Sequence, residues 1–262
     1  MDRLKKIEKK LSHKEEEYIR ESKLLVKHSE EYESLEEVFN KPTLMSIYKL
    51  MNKKVIKWVD GIISSGKESR VYYAMGWKGE LALKIYLTTS LEFKKGLIQY
   101  LMVDPRFPRI RHDTFYLVKL WAKKEYTNLK EMYSKGVPVP KPIALHNNVL
   151  VMEFIGKDGL RAPLLREASL SNPQKIYFLL LNAIEKMVRE VGLVHGDLSE
   201  YNVMILDDSI YIIDVSQAVP ITLPISIELL KRDIRNINNY FAELGVEIIS
   251  DEEILRRCTE VE

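Results

Sequence analysis

The sequence predicts an α/β (α+β) chain of two lobes. A five-stranded antiparallel sheet plus a helix builds the first, the second is mainly helical, and a helical extension precedes both. Three observations predict this. Apolar, β-rich runs separated by short turns fill residues 59–86 and 143–156. A long amphipathic stretch over 172–192 opens on Asn172-Pro173 and closes on Gly192, as helices do. A spaced polar set, Asp197, Asn202 and Asp214, surrounds a strand–turn–strand pattern. The boundaries that follow are 1–50 for the extension, 51–155 for the first lobe and 156–262 for the second.

Residues 1–37 are dense in Glu and Lys, lack Pro and Gly, and space Leu4, Ile7, Leu11, Tyr18 and Leu24 as a solvated helix would. Asn40-Lys41-Pro42-Thr43 breaks that pattern, and Leu44, Ile47, Leu50 and Met51 predict a short amphipathic helix after it. Next comes strand, small-residue turn, strand over 59–74, with Ser64-Ser65-Gly66-Lys67 at the turn. Small residues there would let backbone amides approach phosphates. Ser65, Gly66, Lys67 and the following Val71 are therefore candidate nucleotide contacts. The turn lacks the G-x-G-x-x-G pattern and is not a Walker loop.

Leu81-Ala82-Leu83-Lys84-Ile85-Tyr86 is an apolar strand interrupted by one lysine, the pattern of a phosphate-pairing strand lysine. Such a lysine needs a carboxylate. Glu125, in a helix-forming stretch from Trp121 to Leu129, is the candidate, and Glu131 is the alternative. The segment between, with Lys94, Lys95, Arg106, Arg109, Arg111 and His112, reads as a solvated loop that could face substrate or RNA. Residues 149–156 read as a strand whose end, Met152, Glu153 and Ile155, could meet an adenine edge.

The polar set carries the chemistry. Transfer of a phosphoryl group from ATP needs a carboxylate near the attacking oxygen. It also needs oxygen ligands for Mg²⁺, a hard ion that keeps several waters and takes few protein groups. Asp197 suits the first role, and Asn202 and Asp214 the second, which is the spacing of a protein-kinase-type catalytic centre. The runs 203–206 and 210–213 flank Asp207-Asp208-Ser209, so a hairpin would return Asp214 to the end where Asn202 lies. After Asp214 only 48 residues follow, read as one or two helices. That is too few for the activation segment and peptide platform of a usual protein kinase. Gly196 stands where the usual His-Arg-Asp has its Arg.

The 262 residues are 46% hydrophobic and 30% charged, with 40 Lys plus Arg against 38 Asp plus Glu, a net +2 that selects no nucleic-acid partner by itself. One cysteine, Cys258, excludes an intrachain disulfide and a cysteine-based metal site. No secretory signal and no apolar run of membrane-spanning length is visible, so a cytoplasmic protein with no membrane partner is expected. The sequence sets no oligomeric state.

Four segments together resemble the atypical RIO protein kinases, most closely their first subfamily. They are Ile63-Ser64-Ser65-Gly66-Lys67-Glu68-Ser69, Met152-Glu153-Phe154-Ile155-Gly156, His195-Gly196-Asp197-Leu198-Ser199-Glu200-Tyr201-Asn202 and Ile213-Asp214-Val215-Ser216-Gln217-Ala218. The resemblance covers about 35–241. It implies a truncated kinase-like fold that binds ATP with Mg²⁺ or Mn²⁺, phosphorylates itself on serine, and acts on a pre-small-ribosomal-subunit particle of rRNA and proteins. It further implies that Asp197 is catalytic and that Asn202 and Asp214 hold metal. Lys84 would contact phosphates, Glu153 and Ile155 would line the adenine site, and Asp214 could accept phosphate in an ATPase cycle. A small-molecule phosphotransferase of the aminoglycoside or choline kinase type is the rival enzyme, and a catalytically idle nucleotide-binding scaffold is the rival from another class.

Overall fold

In a computed structural model of the chain, the structure describes residues 38–87, 101, 104–107 and 113–260. The expected helix over 1–37 and the residues Lys94, Lys95, Arg109, Arg111 and His112 lie outside that set. The described residues fall into two units. One holds those up to 87 together with 113–123 and 142–154; the other holds 101, 104–107, 124–141 and 155–260.

In the first unit, α1 (Lys41–Asn52) opens on Asn40, whose side chain accepts from the Thr43 N–H at 3.1 Å. This side-chain cap satisfies one of the amides that a helix start leaves without an intrahelical partner. The sheet consists of β1 (Ile56–Ser65), β2 (Ser69–Gly76), β3 (Glu80–Tyr86), β4 (Pro142–His146) and β5 (Val149–Glu153), in the order β1-β2-β3-β5-β4. Every neighbouring pair is antiparallel. Strand side chains alternate between faces. Tyr72, Ala74, Leu83, Ile85, Val149 and Val151 all join Ile47 and Leu50 of α1 in one buried cluster, so α1 covers one face of the sheet. Polar ties from α1 to the β4–β5 turn reinforce it: Asn148 Nδ2 donates to Thr43 Oγ1 at 2.8 Å, and Asn147 Nδ2 to Ser46 Oγ at 2.9 Å.

Helix α2 (Thr114–Ser134) begins in the first unit and ends in the second. The second unit continues through the short pair β6 (Gly156–Lys157) and β7 (Leu160–Arg161) to α3 (Pro173–Lys186), capped by Asn172 at Lys175 N. A π turn over Met187–Val191 extends α3 to Gly192, whose φ of 76° closes the helix in the left-handed region that favours glycine. Then come β8 (Leu193–Val194), the hairpin of β9 (Val203–Leu206) and β10 (Ser209–Ile212), a 3₁₀ turn at Val215–Gln217, and β11 (Val219–Pro220), which pairs with β8. Helices α4 (Ser226–Glu243) and α5 (Asp251–Thr259) complete it. The hairpin turn uses Asp207 and Asp208 at φ 50° and 58°, the double positive φ that matches the twist of tight hairpins. No helix among the described residues is long and apolar enough to cross a membrane.

Candidate functional site

In the first unit, cross-strand register sorts the candidate nucleotide contacts onto one face. Val71 opposes Lys84 and Lys84 opposes Leu150, while Ala82 opposes both Tyr73 and Met152. Val71, Ala82, Lys84 and Met152 therefore share the face opposite to the one packed on α1. Lys84 is 6% exposed, with its ammonium 5.4 Å from the Tyr86 ring centroid. Ser65 ends β1 opposite Arg70. Gly66 N–H donates to Ser69 O at 3.0 Å, and the Arg70 guanidinium donates to Gly66 O, leaving Ser65, Gly66 and Lys67 as an exposed turn. Glu153 is the exposed last residue of β5.

The catalytic-loop candidate lies in the second unit, and each backbone polar group of Gly196, Asp197 and Leu198 is held by a side chain. Asp233 of α4 accepts from Gly196 N–H at 2.7 Å and Leu198 N–H at 2.9 Å. Arg232 donates to Gly196 O, and Asn236 to Leu198 O at 3.0 Å. Asp197 N–H donates to His195 Nδ1 at 3.3 Å, and Asn202 Nδ2 donates to Asp197 O at 2.8 Å. A loop so fully paired has no backbone group left to relax toward water. Gly196 has φ 80°, so glycine at this position meets a backbone requirement as well as removing the usual Arg.

The same bonds carry the loop to Asp214. His195 is fully buried. Its Nδ1 accepts from Asp197, so Nε2 donates to Ile213 O, at 3.1 Å. Ile213 N–H donates to Asn202 O at 2.9 Å, one step beyond the Val203–Ile212 pair of the hairpin. The hairpin thus returns Asp214 to the end that bears Asn202, as its sequence pattern predicts. Asp214 itself sits at φ 57°, ψ 56°, a left-handed conformation that costs most residues about 1–2 kcal/mol but that Asp adopts more readily. Its Oδ1 accepts from Ser216 Oγ at 3.0 Å.

Asp197 and Asp214 are solvent-exposed in this unit. Burial of part of the Asp197 carboxyl raises its pKa above the ordinary value; His195 and Arg232 pull it down and the Asp214 charge pushes it further up. The donor set fits Mg²⁺. Asn202 contributes an amide oxygen and Asp214 a carboxylate, and among the described residues no cluster of three His, Cys, Asp or Glu could form a protein-only cage. Mg²⁺ is commonly held by one or two such oxygens plus water and substrate phosphates.

Other predicted residues fall elsewhere. Ile155 is buried in the second unit with Ala162 and Met204. Glu125, 1% exposed, is on the part of α2 that belongs to that unit, whereas Lys84 is in the first. The alternative Glu131 is committed instead to Arg106, at 3.0 Å. The reading of the segment around Arg106 as solvated is corrected at Asp104, which is 1% exposed and paired with Arg106 at 2.7 Å. Asp233, Arg232 and Asn236 escaped the sequence reading. A phase signal was present for Asp233, which falls among the buried positions Leu230, Ile234, Ile237 and Phe241 of α4.

The antiparallel sheet with its helix, and the mainly helical unit with its His-Gly-Asp loop and hairpin, define the protein-kinase-like class of fold. Residues 70–254 match the model of the RIO domain. The chain is 40% identical over 240 residues to the serine/threonine-protein kinase RIO1 of Caenorhabditis elegans, covering 90% of itself and 46% of that protein. It is 40% identical over 232 residues to the RIO-type serine/threonine-protein kinase Rio1 of Haloferax volcanii, covering 88% and 79%. Among solved structures, the Rio2 kinase of Chaetomium thermophilum in its ADP/Mg²⁺-phosphoaspartate complex aligns with a TM-score of 0.66 at 24% identity. That alignment covers 85% of this chain and 68% of the other. The chain belongs to the RIO family.

Proposed function

We propose that this chain is an ATP-dependent atypical serine kinase with ATPase activity. The observation that carries the reading is the single hydrogen-bonded frame joining Asp197, Asn202 and Asp214, in which Asn202 ties to Asp197 through its side chain and to the Asp214 strand through its backbone. Asp197 accepts the proton of an attacking hydroxyl and holds it in line. Asn202 and Asp214 would hold Mg²⁺, which when bound would neutralise phosphate charge. On the first unit's sheet, Lys84 pairs phosphates, Ser65, Gly66 and Lys67 cover them, Val71 and Met152 face the base, and Glu153 offers backbone to the adenine edge.

The same frame supports a cycle in which an Asp214 carboxylate oxygen bonds to the γ-phosphorus as the bond to the β-phosphate oxygen breaks and ADP leaves; water then hydrolyses the acyl phosphate. The phosphoaspartate complex of the Rio2 relative makes this chemistry reasonable for the fold. The partner proposed for the cycle is a precursor of the small ribosomal subunit, and the compartment is the cytoplasm.

The test is incubation of the purified chain with γ-labelled ATP and Mg²⁺, followed by hydroxylamine. Labile label that disappears in Asp214→Asn is expected, with any hydroxylamine-stable label marking serine autophosphorylation. Absence of both label and ATP turnover contradicts the proposal and favours the scaffold.

A further inference from the structure

Helix α2 carries a charged side chain to which none of these roles is assigned. Lys124 is completely buried, and its Nζ donates to Ser216 O at 3.0 Å and to Ala218 O. One helical turn further on, Asn128, also completely buried, donates through Nδ2 to Val215 O at 2.7 Å and Ala218 O at 3.4 Å. The backbone that leaves Asp214 is thus gripped at three carbonyls by two side chains from one face of α2. A buried ammonium weakens a fold unless acceptors surround it, and an apolar side chain of similar size would fill the space at lower cost. What the apolar side chain cannot do is reach two carbonyls from a single atom and fix the turn between them.

The charge on Lys124 has its own support. Asp104 Oδ2 is 3.8 Å from Nζ, and both side chains are fully buried. Asp104 is clamped by Arg106 through Nη2 at 2.7 Å and Nε at 2.9 Å, and Arg106 reaches Glu131 with Nη1 at 3.0 Å. Among the described residues, the charged groups that face Lys124 include Asp104 and Arg106 from the 104–107 segment, with Glu131 of α2 behind them. A chain of contacts therefore runs from that segment, through Lys124, to the turn behind Asp214.

We propose that Lys124 is the positioning residue for Asp214, and that Asp104 and Arg106 set its grip. The proposal rests on the reading of Asp214 as a metal-holding residue. Burial pushes the Lys124 ammonium down to about 7, against the opposing pull of Asp104, and the like charge of Arg106 adds to the lowering. Protonated, Lys124 is drawn to Asp104 by charge across 3.8 Å; as pH rises through that value it loses the charge that ties it there.

The test is a Mg²⁺ titration of ATP turnover in the full chain, with ATP binding in EDTA as reference, for wild type, Lys124→Met and Asp104→Asn. The Mg²⁺ concentration for half-maximal turnover should rise roughly tenfold or more in Lys124→Met, as when groups that orient metal ligands are removed, while ATP affinity in EDTA is unchanged. A smaller rise is expected in Asp104→Asn, together with an alkaline loss of turnover that begins at lower pH, because the carboxylate that favours the charged lysine is gone. A folded Lys124→Met with a wild-type Mg²⁺ titration overturns the proposal. Should Lys124→Met not fold, Asp104→Asn decides, and an unchanged titration and pH profile overturns it. Asp214→Asn separates the two levels. Mg²⁺-dependent turnover surviving in it removes the reading of Asp214 itself, whereas its loss alongside a wild-type titration in Lys124→Met removes only the positioning role.

Discussion

The loop that carries Asp197 and the turn that follows Asp214 differ in one buried anchor. The first presents amides to a buried carboxylate: Asp233 accepts from Gly196 and Leu198. The second presents carbonyls to a buried ammonium and a buried amide, since Lys124 and Asn128 donate to the carbonyls of 215, 216 and 218. The Asp197 loop thus has its amides held by a buried carboxylate and its carbonyls by Arg232 and Asn236, whereas the turn after Asp214 has its carbonyls held by a buried ammonium and a buried amide. The difference teaches how one helical unit can fix two exposed carboxylates without burying either. In each case the protein spends its buried charge on the main chain behind the carboxylate.

The comparison breaks most visibly at Asp233. Asp233→Ala leaves two buried amides without acceptors, at about 1–3 kcal/mol for each, so denaturant titration should show a loss of about 2–6 kcal/mol along with collapse of turnover. Asp233→Asn retains one acceptor and should lose roughly half as much. A stability within error of wild type for Asp233→Ala would mean that the loop does not depend on this anchor.

A smaller effect sharpens the Asp214 side. Ser216→Ala removes the hydroxyl that donates to Asp214 Oδ1. A neutral hydrogen bond of this kind is worth about 1 kcal/mol, so the Mg²⁺ requirement should rise by about fivefold with little change in melting temperature. Isothermal titration with Mg²⁺ and a non-hydrolysable ATP analogue reads this directly.

The smallest effect is a shift in pH. In the role proposed for it Asp197 must be ionised to accept a proton, and its pKa is raised, chiefly by burial, with Arg232 opposing the rise. Arg232→Gln removes that opposing charge, so Asp197 should hold its proton to higher pH and the acidic limb of the turnover profile should move up. A limb that moves down, or stays, would separate the limb from Asp197.

Much of this was legible in the sequence because it rests on local pattern. The Asn172 cap, the Gly192 stop and the Asp207-Asp208 turn each declare themselves within a few residues, and the hairpin then forces Asp214 back toward Asn202. The anchors were harder to read, Asp233 showing itself only by its phase on α4, and the reason is physical. Lys124 lies in Lys123-Lys124-Glu125 and Asp233 in Lys231-Arg232-Asp233, strings that look like solvated helix faces. Yet α2 buries Lys124, Glu125 and Asn128 alongside Trp121, Ala122 and Leu129, so its buried surface is not confined to an apolar stripe that periodicity could reveal. Their partners, at 216, 218, 196 and 198, are far away in the chain. The sheet face shared by Val71, Lys84 and Met152 is intermediate: each strand was readable, but their common face needed the cross-strand register.

The central claim is that Asp197 takes the proton of the attacking hydroxyl or water, whereas Asp214 holds the metal and, in the acyl-phosphate cycle, supplies the attacking carboxylate oxygen. The most direct measurement is the paired determination of Mg²⁺·ATP affinity and single-turnover rate in wild type, Asp197→Ala and Asp214→Asn. The account predicts that Asp197→Ala binds Mg²⁺·ATP as wild type does but turns over about 10²–10⁴-fold more slowly, the usual size of a lost general base. It predicts that Asp214→Asn loses the Mg²⁺ enhancement of ATP binding. Equal loss of metal-dependent binding in both variants, or turnover preserved in Asp197→Ala, would contradict it.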